Sequence, residues 1–160
     1  MNDLSFRYSR ESDADGVVKL MEQRFGVRED VLVNLPGRYY LAIDSNNEIV
    51  AMTGLSRNTK YNGLEIDWTC VDYRYCNRGL ITHMIRTLIT NVDKDVYCSC
   101  WRISSKPINL RHAMITLGFT PAIIGRVSQS TEFCNCGNKC VVYNGGICKC
   151  YEDLWVRRVQ

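Results

Sequence analysis

The sequence predicts one mixed α/β (α+β) domain with about seven strands and about four helices. Its 160 residues are enough to bury a single core. A composition of 46% hydrophobic and 23% charged residues is ordinary for a soluble globular chain. Segments with strand and helix periodicity follow each other in the order β-α-α-β-β-β-α-β-α-β-β. This order is unusual and narrows the choice of fold.

The first part of the chain predicts a strand and two helices. Residues 4–9, LSFRYS, alternate in polarity as a strand does. Residues 11–26 begin with polar residues and end at a glycine, as a helix does. Apolar side chains recur there at helical spacing: Val17, Leu20, Met21 and Phe25. A second short helix is predicted over 27–35, before the Pro-Gly pair at 36–37.

The middle of the chain predicts three strands. Residues 39–44, YYLAID, and 49–56, IVAMTGLS, flank the turn SNNE and predict a hairpin. After the turn YNG, residues 64–71, LEIDWTCV, predict a further strand.

The last part predicts two helices and three strands. One face of the helix over 78–92 is apolar: Ile81, Met84, Ile85, Leu88, Ile89 and Val92. The segment INLRHAMITL, at 108–117, predicts the other helix, which ends at the following Gly-Phe. The predicted strands are DVYCSCW at 95–101, AIIGRV at 122–127 and YEDLWVRRV at 151–159.

Charge and hydropathy exclude some classes of function. The net charge of +3 is too small to imply nucleic-acid binding by itself. No stretch approaches the roughly 20 apolar residues that span a bilayer, and the N-terminus has no apolar leader segment. We therefore expect a cytoplasmic protein without a membrane partner.

Residues 71–85 predict the end of a strand, then a short polar loop and then a helix. The helix is predicted to begin near Asn77 to Gly79, and its first-turn amides favour an anion. Gly79 removes a side chain where phosphates would approach, and Arg74 and Arg78 add charge at the rim. A plain strand–helix connection, with a glycine that only relieves crowding, accounts for the same residues.

This segment resembles motif A of the GCN5-related N-acetyltransferases, V-x-P-x-[YF]-[RQ]-x-x-G-x-[GA], which grips the pyrophosphate of acetyl-CoA. Val71 then ends the fourth strand, Tyr75 takes the aromatic place and Gly79 the first glycine. LGF at 117–119 and the terminal EDLWVRRV also match the family order. The resemblance covers nearly all of the chain except an insertion around 128–150.

The resemblance implies a mostly antiparallel central sheet and acetyl-CoA as cosubstrate. Two positions depart from the motif: Cys76 replaces Arg or Gln, and Ile81 replaces the second glycine. A second register puts Arg74 at the Arg/Gln position, Asn77 at the first glycine and Gly79 at the second, but it shortens the loop after Val71. The cosubstrate-binding residues implied by the preferred first register are Val71, Cys76, Asn77, Arg78, Gly79, Leu80, Ile81 and, a residue or two out of register, Asn109.

The resemblance also implies where catalysis takes place. The backbone N–H of Val71 or its neighbour would hold the thioester carbonyl, and Glu65 falls where several relatives have their base. Asp67 shares the strand face of Glu65, since side chains alternate. Alternatively, both carboxylates are solvated on an outer face, with Leu64, Ile66 and Trp68 packed inward.

The usual acid of the family, a tyrosine, is replaced in this chain. Its position is Met114, which cannot donate a proton. Tyr75, Tyr97 or Tyr143 are candidate substitutes, and water is another source of the proton.

Five of the nine cysteines crowd into an insertion at about 130–150, in the pattern C-x-C-x3-C-x7-C-x-C. The candidate zinc ligands are Cys134, Cys136, Cys140, Cys148 and Cys150. Four thiolates in tetrahedral arrangement are what structural zinc prefers, and a YNGG turn would fold the two groups together. Free thiols and reversible disulfides remain alternatives.

These observations predict an N-acetyltransferase that moves an acetyl group from acetyl-CoA directly to a primary amine. A catalytically inactive module of the same fold, which binds a partner through the cysteine-rich insertion, is the alternative. A zinc-knuckle nucleic-acid binder is a third hypothesis, supported by basic and aromatic residues that flank the cysteines: Lys139, Lys149, Arg157, Arg158 and Tyr143.

Overall fold

The computed structural model describes residues 3–25, 35–58, 61–103, 110–127 and 150–159. Within these ranges the chain forms one seven-stranded sheet in the order β1-β2-β3-β4-β5-β7-β6. The strands are β1 (Ser5–Tyr8), β2 (Tyr39–Ile43), β3 (Ile49–Asn58), β4 (Gly63–Val71), β5 (Val96–Ile103), β6 (Thr120–Val127) and β7 (Cys150–Arg157).

The sheet is mixed and mostly antiparallel, as expected. Five of its neighbouring pairs are antiparallel, and only β4 and β5 run parallel. A parallel pair needs a crossover connection, and α2 (Leu80–Ile89) supplies it. The carboxyl ends of β4 and β5 therefore lie at the same edge of the sheet.

The described residues contain two further helices, α1 (Ala14–Phe25) and α3 (Arg111–Thr116). A short 3-10 turn, Glu11–Asp13, leads into α1. The helix predicted over 27–35 lies outside the described residues except for Leu35, which is buried. No helix in the described ranges is both long and apolar enough to span a membrane.

Two apolar clusters pack on opposite faces of the sheet. On one face, α1 buries Val17, Leu20 and Met21 against Leu41 and other side chains of β2 to β4. On the other face, α2 and α3 pack against Ala42 of β2 and against buried side chains of β3, β4, β5 and β7. The apolar face of α2 is the predicted one, with Ile81, Met84, Ile85 and Ile89 all buried. We call these the α1 face and the α2 face.

Candidate active site

A cleft opens in the sheet between β4 and β5. Their pairing runs from Leu64 opposite Val96 to Ile66 opposite Cys98 and goes no further. Beyond Ile66, β4 continues to Val71 beside β3 alone, and β5 continues beside β7. The two strands thus diverge toward their carboxyl ends, which leaves room between their backbones.

A β-bulge in β4 lies at the point of divergence. Met52 pairs with Cys70 and Gly54 with Asp67. Two residues along β3 therefore correspond to three residues along β4, so β4 contains one extra residue. Trp68 takes a left-handed backbone conformation there, with φ of 43°. Such a conformation is uncommon for a bulky residue and marks a position that its surroundings impose.

The bulge corrects the expected packing of β4. In the alternative interpretation of this strand, Trp68 points inward together with Leu64 and Ile66, but it packs on the α1 face, whereas those two pack on the α2 face. Cys70, four residues after Ile66, is also on the α1 face. Strict alternation would have put Ile66 and Cys70 on the same face of the sheet. The inserted residue therefore turns the later side chains of β4 to the opposite face.

The backbone N–H of Val71 points into the cleft. Asp72 donates its N–H to the carbonyl oxygen of Val50 on β3, at 2.8 Å. Successive N–H groups of an extended strand point to opposite sides, so the N–H of Val71 is directed away from β3. The strand on that side is β5, from which β4 has already separated.

The loop after β4 has two residues in the left-handed conformation, Asn77 with φ of 61° and Gly79 with φ of 72°. Glycine and asparagine are the residues that adopt this conformation most readily. Gly79 is the residue before α2, whereas Ile81 is helical and buried. The spacing of the two left-handed positions favours the second register, in which Asn77 and Gly79 take the two glycine places.

The loop directs donors toward open space. A 3-10 turn, Tyr73–Tyr75, comes first, and the Asp72 side chain accepts a hydrogen bond from the N–H of Arg74 at 2.8 Å. The first-turn amides of α2 then have no acceptor within the helix. A Cβ added at Gly79 would meet no atom of the described residues within 4 Å. The geometry suits an anion at the start of α2.

The two arginines of the loop differ in their partners. Arg74 forms ion pairs with Asp72 and Glu48, both at 2.9 Å, so its charge is compensated within the protein. The Arg78 guanidinium lies 5.2 Å from the centre of the Tyr75 ring. The expectation that both arginines add charge at the rim therefore suits Arg78 and not Arg74.

Tyr75 and Arg78 also line a cavity of about 300 Å³ between the start of α2 and the β2–β3 turn. Asp44 lines the same cavity and accepts a hydrogen bond from the Tyr75 hydroxyl at 3.0 Å. This bond raises the pKa of Tyr75. Hydrogen bonds from the backbone N–H of Glu48 and from Tyr75 lower the pKa of Asp44.

Glu65 and Asp67 lie on one face of β4, as expected. Their partners on β3 are Ser56 and Gly54, two residues apart and therefore on the same side. Asn58 donates a hydrogen bond to Glu65. Asp67 lies at the end of the β4–β5 pairing, whereas Glu65 is still within the paired segment.

The Asp67 carboxylate lies between Arg38 and Gly54. Its Oδ2 lies 3.4 Å from Nη2 of Arg38, and its Oδ1 is buried without a hydrogen-bond partner. The carboxylate rests on Gly54, where an added Cβ would overlap with Oδ1. Only glycine at position 54 leaves room for this placement.

The two described candidates for the missing acid, Tyr75 and Tyr97, each have a polar side-chain partner. Met114 on α3 is fully buried in the α2-face cluster. The Tyr75 hydroxyl is bound to Asp44, and the Tyr97 hydroxyl lies 3.4 Å from Arg158 beside the closed, paired end of β4 and β5. Asn109 and Tyr143 lie outside the described residues.

The described cysteines do not form a metal site. In the described ranges no group of three or more histidine, cysteine, aspartate or glutamate side chains is arranged to hold a metal ion. Cys98 and Cys100 are buried with their sulfurs 3.7 Å apart. This contact and burial raise the pKa of Cys98. The predicted zinc ligands Cys134, Cys136, Cys140 and Cys148 lie outside the described residues, and of Cys150 only the backbone is described.

Sequence reasoning missed several parts of this site. Hydrophobic alternation gives no signal for the bulge at Trp68, because an inserted residue looks the same as a continuing strand. Asp44 and Asp72 do carry a signal in the sequence, since each aspartate directly follows a strand and can cap the next turn.

Sequence comparison finds no matching family model and no matching curated relative. Structure comparison finds many similar chains. A GNAT-family acetyltransferase from Bacillus cereus is 12% identical, with a TM-score of 0.68 and coverage of 98% of both chains. The chain has the fold of these acetyltransferases.

Two other structures with this fold contain coenzyme A. Diaminobutyrate acetyltransferase from Paenibacillus lautus, in complex with coenzyme A and L-2,4-diaminobutyric acid, has a TM-score of 0.66 at 15% identity, with coverage of 98% of this chain and 95% of that one. N-acetylglutamate synthase from Neisseria gonorrhoeae, complexed with coenzyme A and N-acetyl-glutamate, has a TM-score of 0.63 at 13% identity. Our chain is covered to 98% and spans 35% of the synthase. At these identities the similarity concerns the fold.

Proposed function

We propose that this protein is an N-acetyltransferase that moves the acetyl group of acetyl-CoA directly to a primary amine. The observation that carries the proposal is the N–H of Val71, which points into the cleft between β4 and β5 next to the left-handed loop. A hydrogen-bond donor fixed beside an open slot is what a thioester carbonyl needs as charge develops on its oxygen.

The loop and the start of α2 would hold the phosphates of the cosubstrate. Backbone amides from Asn77 to Ile81 supply donors that do not depend on side-chain identity. Arg78 supplies the positive charge, because Arg74 is occupied by two carboxylates. The open space at Gly79 admits the close approach of a phosphate.

The carboxylates on the α1 face would take the proton of the acceptor amine. We assign this role to Asp67 before Glu65, because Asp67 lies where the cleft opens, whereas Glu65 lies within the paired segment of β4 and β5. The amine attacks the carbonyl carbon, the N–H of Val71 stabilises the oxyanion, and Asp67 accepts the amine proton. The C–S bond then breaks, and water protonates the leaving thiolate.

The test is acetyl transfer to a panel of primary amines, followed by release of free thiol and by the mass of the product. We expect release of CoA matched by an amine that gains about 42 mass units, the acetyl group in place of one hydrogen. Asp67→Asn should lower kcat by at least about 100-fold, which is the usual contribution of a general base. Thiol release that is independent of any amine would contradict the proposal.

A second candidate is a non-catalytic module of the same fold. Met114 favours it, because a fully buried methionine stands where the resemblance places the acid. The two carboxylates that compensate Arg74 favour it also, since they weaken the positive field of the loop. Binding of acetyl-CoA without turnover of any amine would support this candidate.

A further inference from the structure

The sheet separates the proposed site into two halves, and each half has its own arginine stacked on a tyrosine. The 3-10 turn Tyr73–Tyr75 carries both tyrosines. On the α2 side, Arg78 lies against Tyr75 at the proposed phosphate site. On the α1 side, the Arg24 guanidinium lies 4.0 Å from the centre of the Tyr73 ring.

Arg24 is a half-buried cation that lacks a carboxylate partner among the described residues. Its Nη1 atom is buried and has no hydrogen-bond partner within the described part of the chain. Four other described arginines are each paired with an aspartate: Arg7 with Asp13, Arg38 with Asp67, Arg74 with Asp72 and Arg158 with Asp95. A guanidinium that is partly desolvated and uncompensated gains strongly from an anion at its accessible edge.

Arg24 belongs to the same face as the proposed base. One turn earlier on α1, the Met21 sulfur lies 3.8 Å from the sulfur of Cys70. The charge of Arg24 reaches this thiol, where it opposes the rise in the Cys70 pKa that burial causes. Asp67 lies opposite Gly54, and Cys70 lies opposite Met52. Because their partners are two residues apart on β3, Asp67 and Cys70 are about 7 Å apart along the strand direction.

Resting on the proposed acetyl transfer, we propose that the acceptor is an amino acid, and that Arg24 binds its carboxylate while its amine reaches Asp67. A compact zwitterion suits a cation and a carboxylate on one face, because each of its charged groups meets the opposite charge. A carboxylate matches one guanidinium. A phosphate would bring a second negative charge close to Asp67 and to the buried Asp72.

The test compares amino acids with amines that differ from them only in the loss of the carboxylate. The pairs are ornithine with putrescine, lysine with cadaverine, and tyrosine with tyramine. For at least one pair we expect kcat/KM to be ten-fold or more higher for the amino acid. Arg24→Gln should remove this preference through KM, with the KM for acetyl-CoA unchanged, and Arg24→Lys should restore part of it.

Arg86→Gln is the matched control, because Arg86 is an exposed arginine on α2. It should retain the preference of the unmodified protein. The melting temperature and the shift that acetyl-CoA produces show whether each variant is folded and binds the cosubstrate.

Three outcomes would overturn the inference. One is equal or better turnover of the decarboxylated amines, another is a preference that survives in Arg24→Gln, and the third is turnover confined to amines that carry no carboxylate. If acetyl-CoA binds but no amine of any kind is acetylated, the proposed function fails together with this inference. Turnover of other amines leaves the function standing and rejects only the role of Arg24.

Discussion

Gly79 is the residue on which the proposed phosphate site depends most directly. Its backbone is left-handed, and an added Cβ would meet no neighbouring atom. Two effects of substitution can therefore be separated. Any L-residue costs about 1 kcal/mol of stability in this conformation, whereas only a bulky or charged residue fills the space before the amides.

Gly79→Glu should abolish binding of acetyl-CoA, because it puts bulk and negative charge at the proposed phosphate site. Gly79→Ala is its control and should lower stability to a similar degree while retaining most of the affinity. Calorimetric titration with acetyl-CoA measures both. Equal affinities in the glutamate variant and the unmodified protein would show that the phosphates bind elsewhere.

Gly54 tests the placement of Asp67 without removing its carboxylate. Gly54→Ala would put a Cβ where Oδ1 of Asp67 lies, and the carboxylate must move. We expect a fall in kcat of ten-fold or more with little change in the affinity for acetyl-CoA, since misplaced catalytic groups lose rate steeply.

Gly16→Ala is the matched control for Gly54→Ala. Its added Cβ would meet the flexible end of Ile49 at 2.8 Å, away from the cleft. This substitution should change stability and leave kcat as it is. Undiminished activity in Gly54→Ala would mean that Asp67 does not act as the base.

At the scale of elements, the start of α1 is fixed to β1 by one carboxylate. Asp13 is buried and accepts hydrogen bonds from both terminal nitrogens of Arg7, at 2.6 and 2.7 Å, and from the backbone N–H of Arg10 at 2.7 Å. The hydrogen bond from Arg7 holds the pKa of Asp13 below its usual range. The carboxylate thus joins the edge strand to the helix that covers the α1 face.

Asp13→Ala should lower the free energy of unfolding by about 2 kcal/mol at neutral pH, since hydrogen bonds to a charged group are lost. A depressed pKa in the folded state means that the stabilisation is present above the unfolded pKa of about 4 and disappears as the pH falls through the folded pKa. Urea unfolding from pH 7 to pH 3 measures this.

Asp15→Ala is the control for this experiment. Asp15 is exposed in the first turn of α1, where its negative charge interacts favourably with the helix dipole. The gap in stability between the unmodified protein and Asp13→Ala should narrow below about pH 4. A gap that stays constant over this range would contradict the ion pair with Arg7.

At the scale of the whole molecule, the sheet and its helices were predictable where hydrophobic periodicity was strong. The segments 39–44 and 49–56 around their turn, and the apolar face of 78–92, each predicted a strand or helix that the structure contains. The parallel pairing of β4 with β5 was not predicted, because contacts between distant strands leave no local pattern in the sequence.

The strand–turn–helix of the candidate site was predictable, and the side-chain contacts around it were not. Gly79 marked the loop, since a glycine between a strand and a helix often allows a left-handed turn there. The bulge at Trp68 and the stack of Arg24 on Tyr73 depend on tertiary packing, which overrides local preference. The same packing gives Arg74 two carboxylate partners, which compensate its charge beside the proposed phosphate site.

Zinc binding by the cysteine-rich segment from Cys134 to Cys150 stays a prediction from the sequence. We propose that four of its five thiolates bind one zinc ion, which would order a segment poor in core-forming residues. Elemental analysis of the purified protein should then give about one zinc per chain. Folded protein that contains no metal would refute this proposal.

We propose that the chain binds acetyl-CoA in the cleft between β4 and β5. A thermal melt with millimolar acetyl-CoA, CoA or ATP tests whether it binds the cosubstrate. We predict that acetyl-CoA and CoA each raise the melting temperature by several degrees, since a ligand at 100 times its Kd adds about 2.7 kcal/mol of stability, and that ATP does not. An unchanged melting temperature with all three ligands would contradict the claim.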